Sequence, residues 1–204
     1  MIFKSIVIKL LIVVFISSIS TVSAQGNKWD LKKEKNGILV YTRTDEATAN
    51  VEFKANITID TTIDTLLSVF KDVENYKEWM ADTKISKTLK KISDTEEYNY
   101  FEAKVPWPLE NRDLSIYQKT TLTSKGVTIS LIGKPNYIPH KKGITRIEKA
   151  LGSWQFIPLP NNKVKVIYQF MADPGLNIPN WIISLFIVDG PFKTLTNLKA
   201  IVEH

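Results

Sequence analysis

The chain has 204 residues, of which 44% are hydrophobic and 24% charged, with a formal net charge of +6 at pH 7 and no cysteine. This length normally forms a single domain with a sizeable core. The composition excludes a disulfide scaffold and a cysteine-linked lipid anchor, so stability must come from packing. The small positive charge favours anionic membrane surfaces only weakly.

The N-terminus has the features of a secretory signal peptide. Lys4 and Lys9 flank an apolar run that reaches Ile16, and small residues follow at Val22 and Ala24. The run is shorter than the roughly 20 apolar residues that a membrane span needs, although an uncleaved anchor is the alternative. We therefore expect residues 1–24 to be a signal peptide cleaved after Ala24, and residues 25–204 to form one exported domain, periplasmic or secreted.

The first elements of this domain are a polar helical turn, predicted over residues 28–35, and a β-hairpin. Asn36-Gly37 is typical of a turn, and the strand-like run ILVYTRT follows it. Residues 51–59 then alternate between apolar and polar side chains, the pattern of a half-buried strand. These two runs predict the hairpin.

An amphipathic helix is predicted next, capped by Asp60 or Thr61. Its apolar residues recur at steps of three and four, at Ile63, Leu66, Leu67, Phe70 and Val73. A second short helix follows and reaches Met80. Period-two alternation then returns in five runs between Ile85 and the region of Phe170, separated by turn residues, and predicts a meandering antiparallel sheet.

The chain ends in a long helical segment, predicted over residues 178–204. Its first half, residues 181–188, is apolar nearly all round, so we expect it to be buried on every side. The second half carries a narrow apolar stripe at Phe192, Leu195, Leu198 and Val202. An interior proline disfavours a continuous helix, which predicts a kink or break at Asp189-Gly190-Pro191.

Residue types that carry enzyme chemistry are scarce. The chain has two histidines, His140 and His204, and it lacks a hydrolase elbow, a zinc-binding helix and a glycine-rich phosphate loop. The acidic pair Glu96-Glu97 is interpreted as a solvated turn. Lysines are scattered without one basic face, which disfavours nucleic-acid binding. We expect no catalytic residue, metal site or cofactor.

Five stretches, in this order and spacing, suggest a family: NGILVYTR, DVENYKEWM, VPWPLENRD, KKGITRIEKALGSWQFIPL and ADPGLNIPNWIISLF. From about Trp29 to Val202 the chain resembles a START domain, the steroidogenic-acute-regulatory-related lipid-transfer family. The resemblance implies an α+β helix-grip fold, in which a curved antiparallel sheet wraps a long C-terminal helix around an apolar cavity. It also implies that a lipid, sterol-like molecule or other hydrophobic ligand binds there without catalysis, with transient membrane contact.

The resemblance further implies two omega loops, Val105 to Asn111 and Gly133 to Gly143, and a lid formed by the helix from Pro179 onward. The sheet and short helices supply residues expected in the cavity or the core: Trp79, Phe101, Leu114, Ile116, Ile129, Leu131, Trp154, Tyr168 and Phe170. The lid supplies Ile182, Leu185, Phe186 and Phe192. Sequence cannot separate ligand contact from plain core packing for any of them.

Polar candidates in the cavity follow from the same resemblance. Glu102 approximately matches an acidic cavity position, and Gln118 stands where sterol-binding relatives place an arginine. Arg146 or Glu148 can replace that arginine, or can be an exposed strand residue. Asp113, on the strand face opposite to Arg112, is predicted to fix the first loop through backbone N–H groups.

Trp107, between two prolines, either plugs the core or stands at the cavity mouth, where an indole suits a membrane interface. The leading hypothesis is a monomeric carrier of a hydrophobic ligand. One alternative is a helix-grip enzyme of the polyketide aromatase/cyclase type, which requires convergent titratable groups in the cavity. Another is a lipid-sensing module for a protein partner.

Overall fold

The computed structural model describes residues 28–44, 50–173 and 178–203, so the predicted signal peptide lies outside the described residues. Ten strands in these residues form one sheet: β1 Asp30–Lys35, β2 Ile38–Thr44, β3 Val51–Asp60, β4 Thr83–Lys91, β5 Glu96–Ala103, β6 Asn111–Thr123, β7 Gly126–Gly133, β8 Ile144–Arg146, β9 Ala150–Leu159 and β10 Lys163–Ala172. The helices are α1 Ile63–Lys71, α2 Tyr76–Trp79, α3 Asn180–Ser184 and α4 Gly190–Val202. A 3₁₀ turn, Val73–Asn75, precedes α2, and a π-helical turn, Leu185–Asp189, joins α3 to α4.

The strands lie in the order β1-β2-β3-β10-β9-β7-β6-β5-β4, with β8 paired in parallel to β6 and the other pairs antiparallel. The sheet wraps the C-terminal helix, so the predicted α+β helix-grip fold is confirmed. Alternation along each strand places one set of side chains on the concave face and the other on the convex face. The first loop, residues 104–110, joins β5 to β6, and the second loop, residues 134–143, joins β7 to β8.

The prediction of a helical turn at residues 28–35 is wrong, because most of this segment is β1. The turn residues Asn36 and Gly37 have φ values of 53° and 75° and place Lys35 directly opposite Ile38. Two successive positive φ angles favour a tight hairpin. Pairing with β2 therefore overrides the weak local preference of a polar segment.

The first predicted helix begins close to its predicted position, but its cap differs. Thr62, rather than Asp60 or Thr61, is the N-cap, and its side-chain oxygen accepts a hydrogen bond from the Thr65 N–H at 3.1 Å. Phe70 of this helix packs edge-on against Trp154 and Phe156 of β9, with ring centroids 4.9 and 5.0 Å apart. The helix thus closes one end of the space inside the sheet.

The C-terminal helical segment continues through Pro191 without a break, and a π-helical turn, Leu185–Asp189, ends at the residues where a kink or break was predicted. The Gly190 N–H donates to the Leu185 carbonyl oxygen, five residues back, as in a π-helix. This wider turn ends where Pro191 occupies the first turn of α4, a position that tolerates a missing N–H.

The segment 181–188 is also not buried on every side, as its composition had suggested. Trp181 is 57% exposed, Ile182 is 1% exposed, and residues 185–188 are partly buried. The predicted stripe of α4 does face inward: Leu195, Leu198 and Val202 are buried, and Phe192 packs against them. Within the described residues, no helix has the length and hydropathy required to cross a membrane.

Candidate functional site

An internal cavity of about 360 Å³ lies between the concave face of the sheet and the C-terminal helix. Along β6, the residues with even numbers, Arg112, Leu114, Ile116 and Gln118, line it in succession. A strand rises about 3.3 Å per residue, so this row alone spans about 20 Å. The cavity is therefore elongated. Its loop end lies at Arg112, beside the first loop, and its inner end lies at Gln118.

Most of the predicted ligand contacts line this cavity. The sheet contributes Phe101, Leu114, Ile116, Leu131, Trp154, Tyr168 and Phe170, and the lid contributes Ile182 and Phe186. Trp79 and Ile129 instead belong to the packed core. Leu185 and Phe192 lie outside the lining, and the Lys33 ammonium sits 4.3 Å from the centroid of the Phe192 ring. The core alternative thus holds for Trp79 and Ile129.

The helical wall contains residues that sequence reasoning missed. Ile183, Ile187 and Pro191 line the cavity in addition to the predicted residues. They recur at steps of four, and each such step in an ideal α-helix rotates the contact by about 40°. The wider π turn at Leu185–Asp189 counteracts this rotation and keeps one face toward the cavity. The four-residue spacing of these three residues was the feature of the sequence that could have identified them as cavity-lining.

The inner end of the cavity is aromatic. Tyr168 stacks on Trp154 with ring centroids 3.8 Å apart and an interplanar angle of 5°. Tyr76 of α2 stacks on Phe101 at 5.9 Å. Burial raises the pKa of Tyr168, and burial together with the nearby carboxylate of Glu97 raises the pKa of Tyr76. Both phenols therefore stay neutral at physiological pH.

Gln118 presents a neutral amide at this end. Its Nε2 donates to Oε1 of Glu97 at 3.1 Å, and its Oε1 accepts from Nδ2 of Asn99 at 3.5 Å. Glu97 also accepts from Nδ2 of Asn99 at 2.9 Å. The interpretation of Glu97 as a solvated turn residue is wrong, because it lies on β5 and orders these two amides.

Among the described residues, the cation in the cavity wall is Arg112, which was not among the predicted cavity residues, and the wall also includes the acidic residues Asp82, Glu102 and Asp173. It is 8% exposed, and its guanidinium donates to the carbonyl oxygen of Glu110 in the first loop. Burial lowers the pKa of Arg112, but a guanidinium remains charged in proteins. The described cavity wall thus has one cation, at its loop end, and presents an uncharged amide at its inner end.

Glu102 borders the cavity, but its carboxylate lies on the convex face. Its register partner is Asp113, whereas the adjacent Phe101 pairs with Leu114 on the concave face. The carboxylate accepts hydrogen bonds from Lys84 Nζ at 2.7 Å and Asn111 Nδ2 at 2.9 Å. Burial by itself raises the pKa of Glu102, but these two hydrogen bonds outweigh burial and lower it.

Neither residue suggested as a replacement for the cavity arginine lines the cavity. Glu148 is exposed, and its carboxylate lies 4.0 Å from the His140 ring nitrogen Nε2. Arg146 is buried on the convex face, where its Nε lies 2.6 Å from Oδ1 of Asp113 and its Nη2 lies 3.1 Å from Oδ2. Its guanidinium also donates to the carbonyl oxygens of Pro135, Ile138 and Pro139.

Asp113 therefore has a structural role, but not the predicted one. It orders the second loop through the Arg146 side chain, rather than the first loop through backbone N–H groups. Tyr100 donates to Oδ2 of the same carboxylate at 3.2 Å, and Lys141 of the second loop donates to the Tyr100 hydroxyl at 2.8 Å. The geometric prediction that Arg112 and Asp113 point to opposite faces agrees with this arrangement.

Trp107 is 91% exposed at the tip of the first loop. This exposure rules out the reading in which the indole plugs the core. Val105, two residues earlier in the loop, lines the cavity. Among the residues that the structure describes, no three His, Asp or Glu side chains are grouped closely enough to hold one metal ion.

Comparisons with known proteins agree with the architecture. The START domain family model matches residues 17–204. An uncharacterized protein of Pseudomonas aeruginosa is 30% identical over 89% of this chain and 90% of its own length. The phosphatidylcholine transfer protein of Rattus norvegicus is 29% identical, covering 81% of this chain and 79% of that protein.

Among solved structures, a fragment of the STAR-related lipid transfer protein from Xanthomonas axonopodis superimposes with a TM-score of 0.78 at 34% identity, covering 85% of this chain and 98% of the fragment. Human StAR-related lipid transfer protein 5, at 18% identity and a TM-score of 0.70, covers 85% of this chain and 86% of its own, and shares the fold. With its sheet, lid helix and internal cavity, the chain belongs to the START domain family.

Proposed function

We propose that the protein binds one lipid or other hydrophobic molecule in the internal cavity and carries it between membranes. The observation that carries this proposal is the elongated, mostly apolar cavity of about 360 Å³, within the range of about 300–1,000 Å³ typical of ligand pockets. Each methylene group removed from water contributes about 0.8 kcal/mol. An alkyl chain along the roughly 20 Å row of β6 would be bound strongly enough for transport as a monomer.

The chemistry of the cavity wall supports binding rather than catalysis. Its ionisable lining residues are Tyr76 and Tyr168, whose pKa values are raised by burial, Arg112, and the acidic residues Asp82, Glu102 and Asp173. General acid–base catalysis at neutral pH favours a group with a pKa near 7, such as histidine, and the described lining contains no histidine. The Glu102 carboxylate is directed away from the cavity, and hydrogen bonds from Lys84 and Asn111 lower its pKa. An aromatase/cyclase-type reaction therefore has less support than ligand binding.

Two exposed indoles support transient contact with a membrane near the loop end. Trp107 projects from the first loop, whose Val105 lines the cavity, and Trp181 is exposed at the start of the lid. Tryptophan is favoured at the boundary between lipid headgroups and acyl chains. We propose that the exported protein acts as a monomer and docks this end to exchange its ligand.

A cavity-filling variant tests the proposal against a matched control on the same strand. Ile116→Trp places an indole in the middle of the cavity, whereas Leu122→Trp adds the same side chain to an exposed position of β6. Native mass spectrometry of protein purified from its host should show a bound lipid in the wild type and in Leu122→Trp, and none in Ile116→Trp.

The same proteins are then incubated with lipid vesicles, and native mass spectrometry is repeated. Uptake by the wild type and by the control variant, but not by Ile116→Trp, is the expected result. Wild-type protein that is ligand-free after purification and takes up no vesicle lipid would contradict the proposed function.

A further inference from the structure

The inner end of the cavity contains a hydroxyl group without a protein partner. Tyr168 lines the cavity, and no residue within 28–44, 50–173 and 178–203 forms a hydrogen bond with its phenolic oxygen. The other polar residues that line this end are bonded within the protein: the Tyr76 hydroxyl donates to the Phe70 carbonyl oxygen at 2.8 Å, and the Gln118 amide is bonded to Glu97 and Asn99. The Tyr168 hydroxyl is therefore available to a ligand.

The ring that carries this hydroxyl is held firmly. One face stacks on Trp154 at 3.8 Å, and Phe53 packs edge-on with ring centroids 4.8 Å apart and an interplanar angle of 81°. Such aromatic contacts favour one orientation of the ring. The hydroxyl consequently has a defined position in the wall, as a group that selects a ligand requires.

The electrostatic surroundings of this position favour an uncharged group. Arg112, the cation among the described lining residues, lies six residues from Gln118 along β6, about 20 Å away. The carboxylate of Glu97 is the charged group at the inner end, where the Gln118 amide contacts it. A ligand carboxylate or phosphate placed there would lose its hydration without gaining a cation.

We propose that the hydroxyl of Tyr168 binds an uncharged hydroxyl or carbonyl group of the ligand at the inner end of the cavity. This inference rests on the proposed function and assigns a ligand class: an apolar molecule with a neutral polar group that enters first. A ligand that lacks the group leaves a buried phenol unpaired, and a charged group is desolvated. Both effects weaken the binding of ligands that lack a neutral polar group, so the cavity selects its ligand by polar interactions rather than by shape.

Three probes with the same chain length test the ligand class: 1-tetradecanol, tetradecane and tetradecanoate at pH 8. Their affinities are measured by displacement of the neutral dye N-phenyl-1-naphthylamine from purified, delipidated protein. Tyr168→Phe removes the hydroxyl and keeps the ring, and Tyr117→Phe is the matched control on the convex face.

We expect wild-type protein to bind the alcohol about five- to tenfold more tightly than the alkane, the effect of one neutral hydrogen bond. Tyr168→Phe should reduce affinity for the alcohol relative to the alkane by a similar factor and should not weaken affinity for the alkane, and Tyr117→Phe should change neither affinity. Tetradecanoate should bind more weakly than the alcohol.

Equal affinities for alcohol and alkane, or an alcohol affinity unaffected by Tyr168→Phe, would overturn the inference while leaving lipid binding intact. Tetradecanoate that binds as tightly as the alcohol would also overturn it, because its headgroup would then lie at Arg112. If neither the dye nor any probe nor vesicle lipid binds, the proposed function itself fails.

Discussion

The first and second loops flank the same stretch of β6 but are held in opposite ways. Beneath the second loop, the ion pair of Asp113 with Arg146 is buried, and the Arg146 guanidinium donates to three carbonyl oxygens of the loop. The first loop is tied at its bases, where Asn111 Oδ1 accepts from the Val105 N–H at 3.2 Å, and its tip exposes Trp107. The protein thus combines one loop fixed by buried charge with another whose apolar tip faces solvent.

This difference indicates a division of roles between the two faces of the sheet. On the convex face, Asp113 and Arg146 stabilise the second loop, whereas Arg112, next in sequence, reaches the cavity on the concave face. Adjacent residues on one strand can serve these two purposes because they point in opposite directions. Four substitutions test the comparison.

Asp113→Asn should have the largest effect, because it leaves the buried Arg146 guanidinium without its counter-charge. Breaking a buried pair from one side costs about 3–5 kcal/mol of unfolding free energy, measured here by urea denaturation. Glu148→Gln, an exposed carboxylate beside His140, is the control and should change stability by less than about 0.5 kcal/mol. Similar small losses for both variants would show that the second loop does not depend on the ion pair.

Glu102→Gln should have the second largest effect. The carboxylate that anchors Asn111 and Lys84 is buried, and hydrogen bonds to a charged group contribute about 1.5–3 kcal/mol. The pKa of Glu102 is lowered on folding, so its contribution is present above its ordinary pKa of 4.5 and is lost as the pH falls through the lowered value. Unfolding free energies measured between pH 7 and pH 3 should therefore fall less steeply in the variant. An unchanged pH dependence would contradict this assignment.

Asn111→Ala should cost about 1–2 kcal/mol, because it removes the hydrogen bond that closes the first loop on the Val105 N–H and one of the hydrogen bonds to the Glu102 carboxylate. Exchange of backbone amide hydrogens with deuterium should accelerate in residues 104–110 and stay unchanged in residues 134–143. Asn136→Ala, on the exposed surface of the second loop, is the control. Faster exchange in both loops would mean that they are not held independently.

Trp107→Ala should have the smallest effect on stability, within about 0.5 kcal/mol, because the indole is 91% exposed. Transfer of a fluorescent phospholipid between vesicles should nevertheless slow several-fold if the first loop docks the protein to membranes. Tyr137→Ala supplies the comparison, since it removes a partly exposed ring from the second loop and should leave the transfer rate nearly unchanged. A large loss of stability with unchanged transfer would assign Trp107 a structural role instead.

Much of the fold was predictable because it follows from local periodicity. The alternation in residues 51–59 places Phe53, Ala55, Ile57 and Ile59 inside, and the three- and four-residue spacing of Leu66 and Phe70 predicts α1. Errors arose where pairing between distant segments decides the outcome. β1 has little local strand signal and becomes a strand because the turn at residues 36–37 places it against β2.

The site was predictable only in part, for a physical reason. Trp79 and Trp154 have the same side chain, but Trp79 belongs to the core, whereas Trp154 also lines the cavity. Apolar periodicity describes a filled interior as well as an empty one, because it records which face avoids water and not what occupies the space inside. Arg146 was considered for the cavity and Arg112 was not, for a related reason. Both side chains are buried, but they lie on opposite faces of the sheet.

The sequence by itself determined the strand pattern, the two proline-bounded loops and the family, because these depend on short stretches of chain. Tertiary structure alone decided that Arg112 reaches the cavity, that Asp113 and Arg146 clamp the second loop, and that a π turn accommodates Pro191. These features depend on strand register and on helix rotation relative to the sheet, which arise from packing between residues far apart in sequence. The Trp-Pro element of the first loop is thus recognisable in the amino-acid sequence, whereas the exposure of Trp107 is a property of the folded chain.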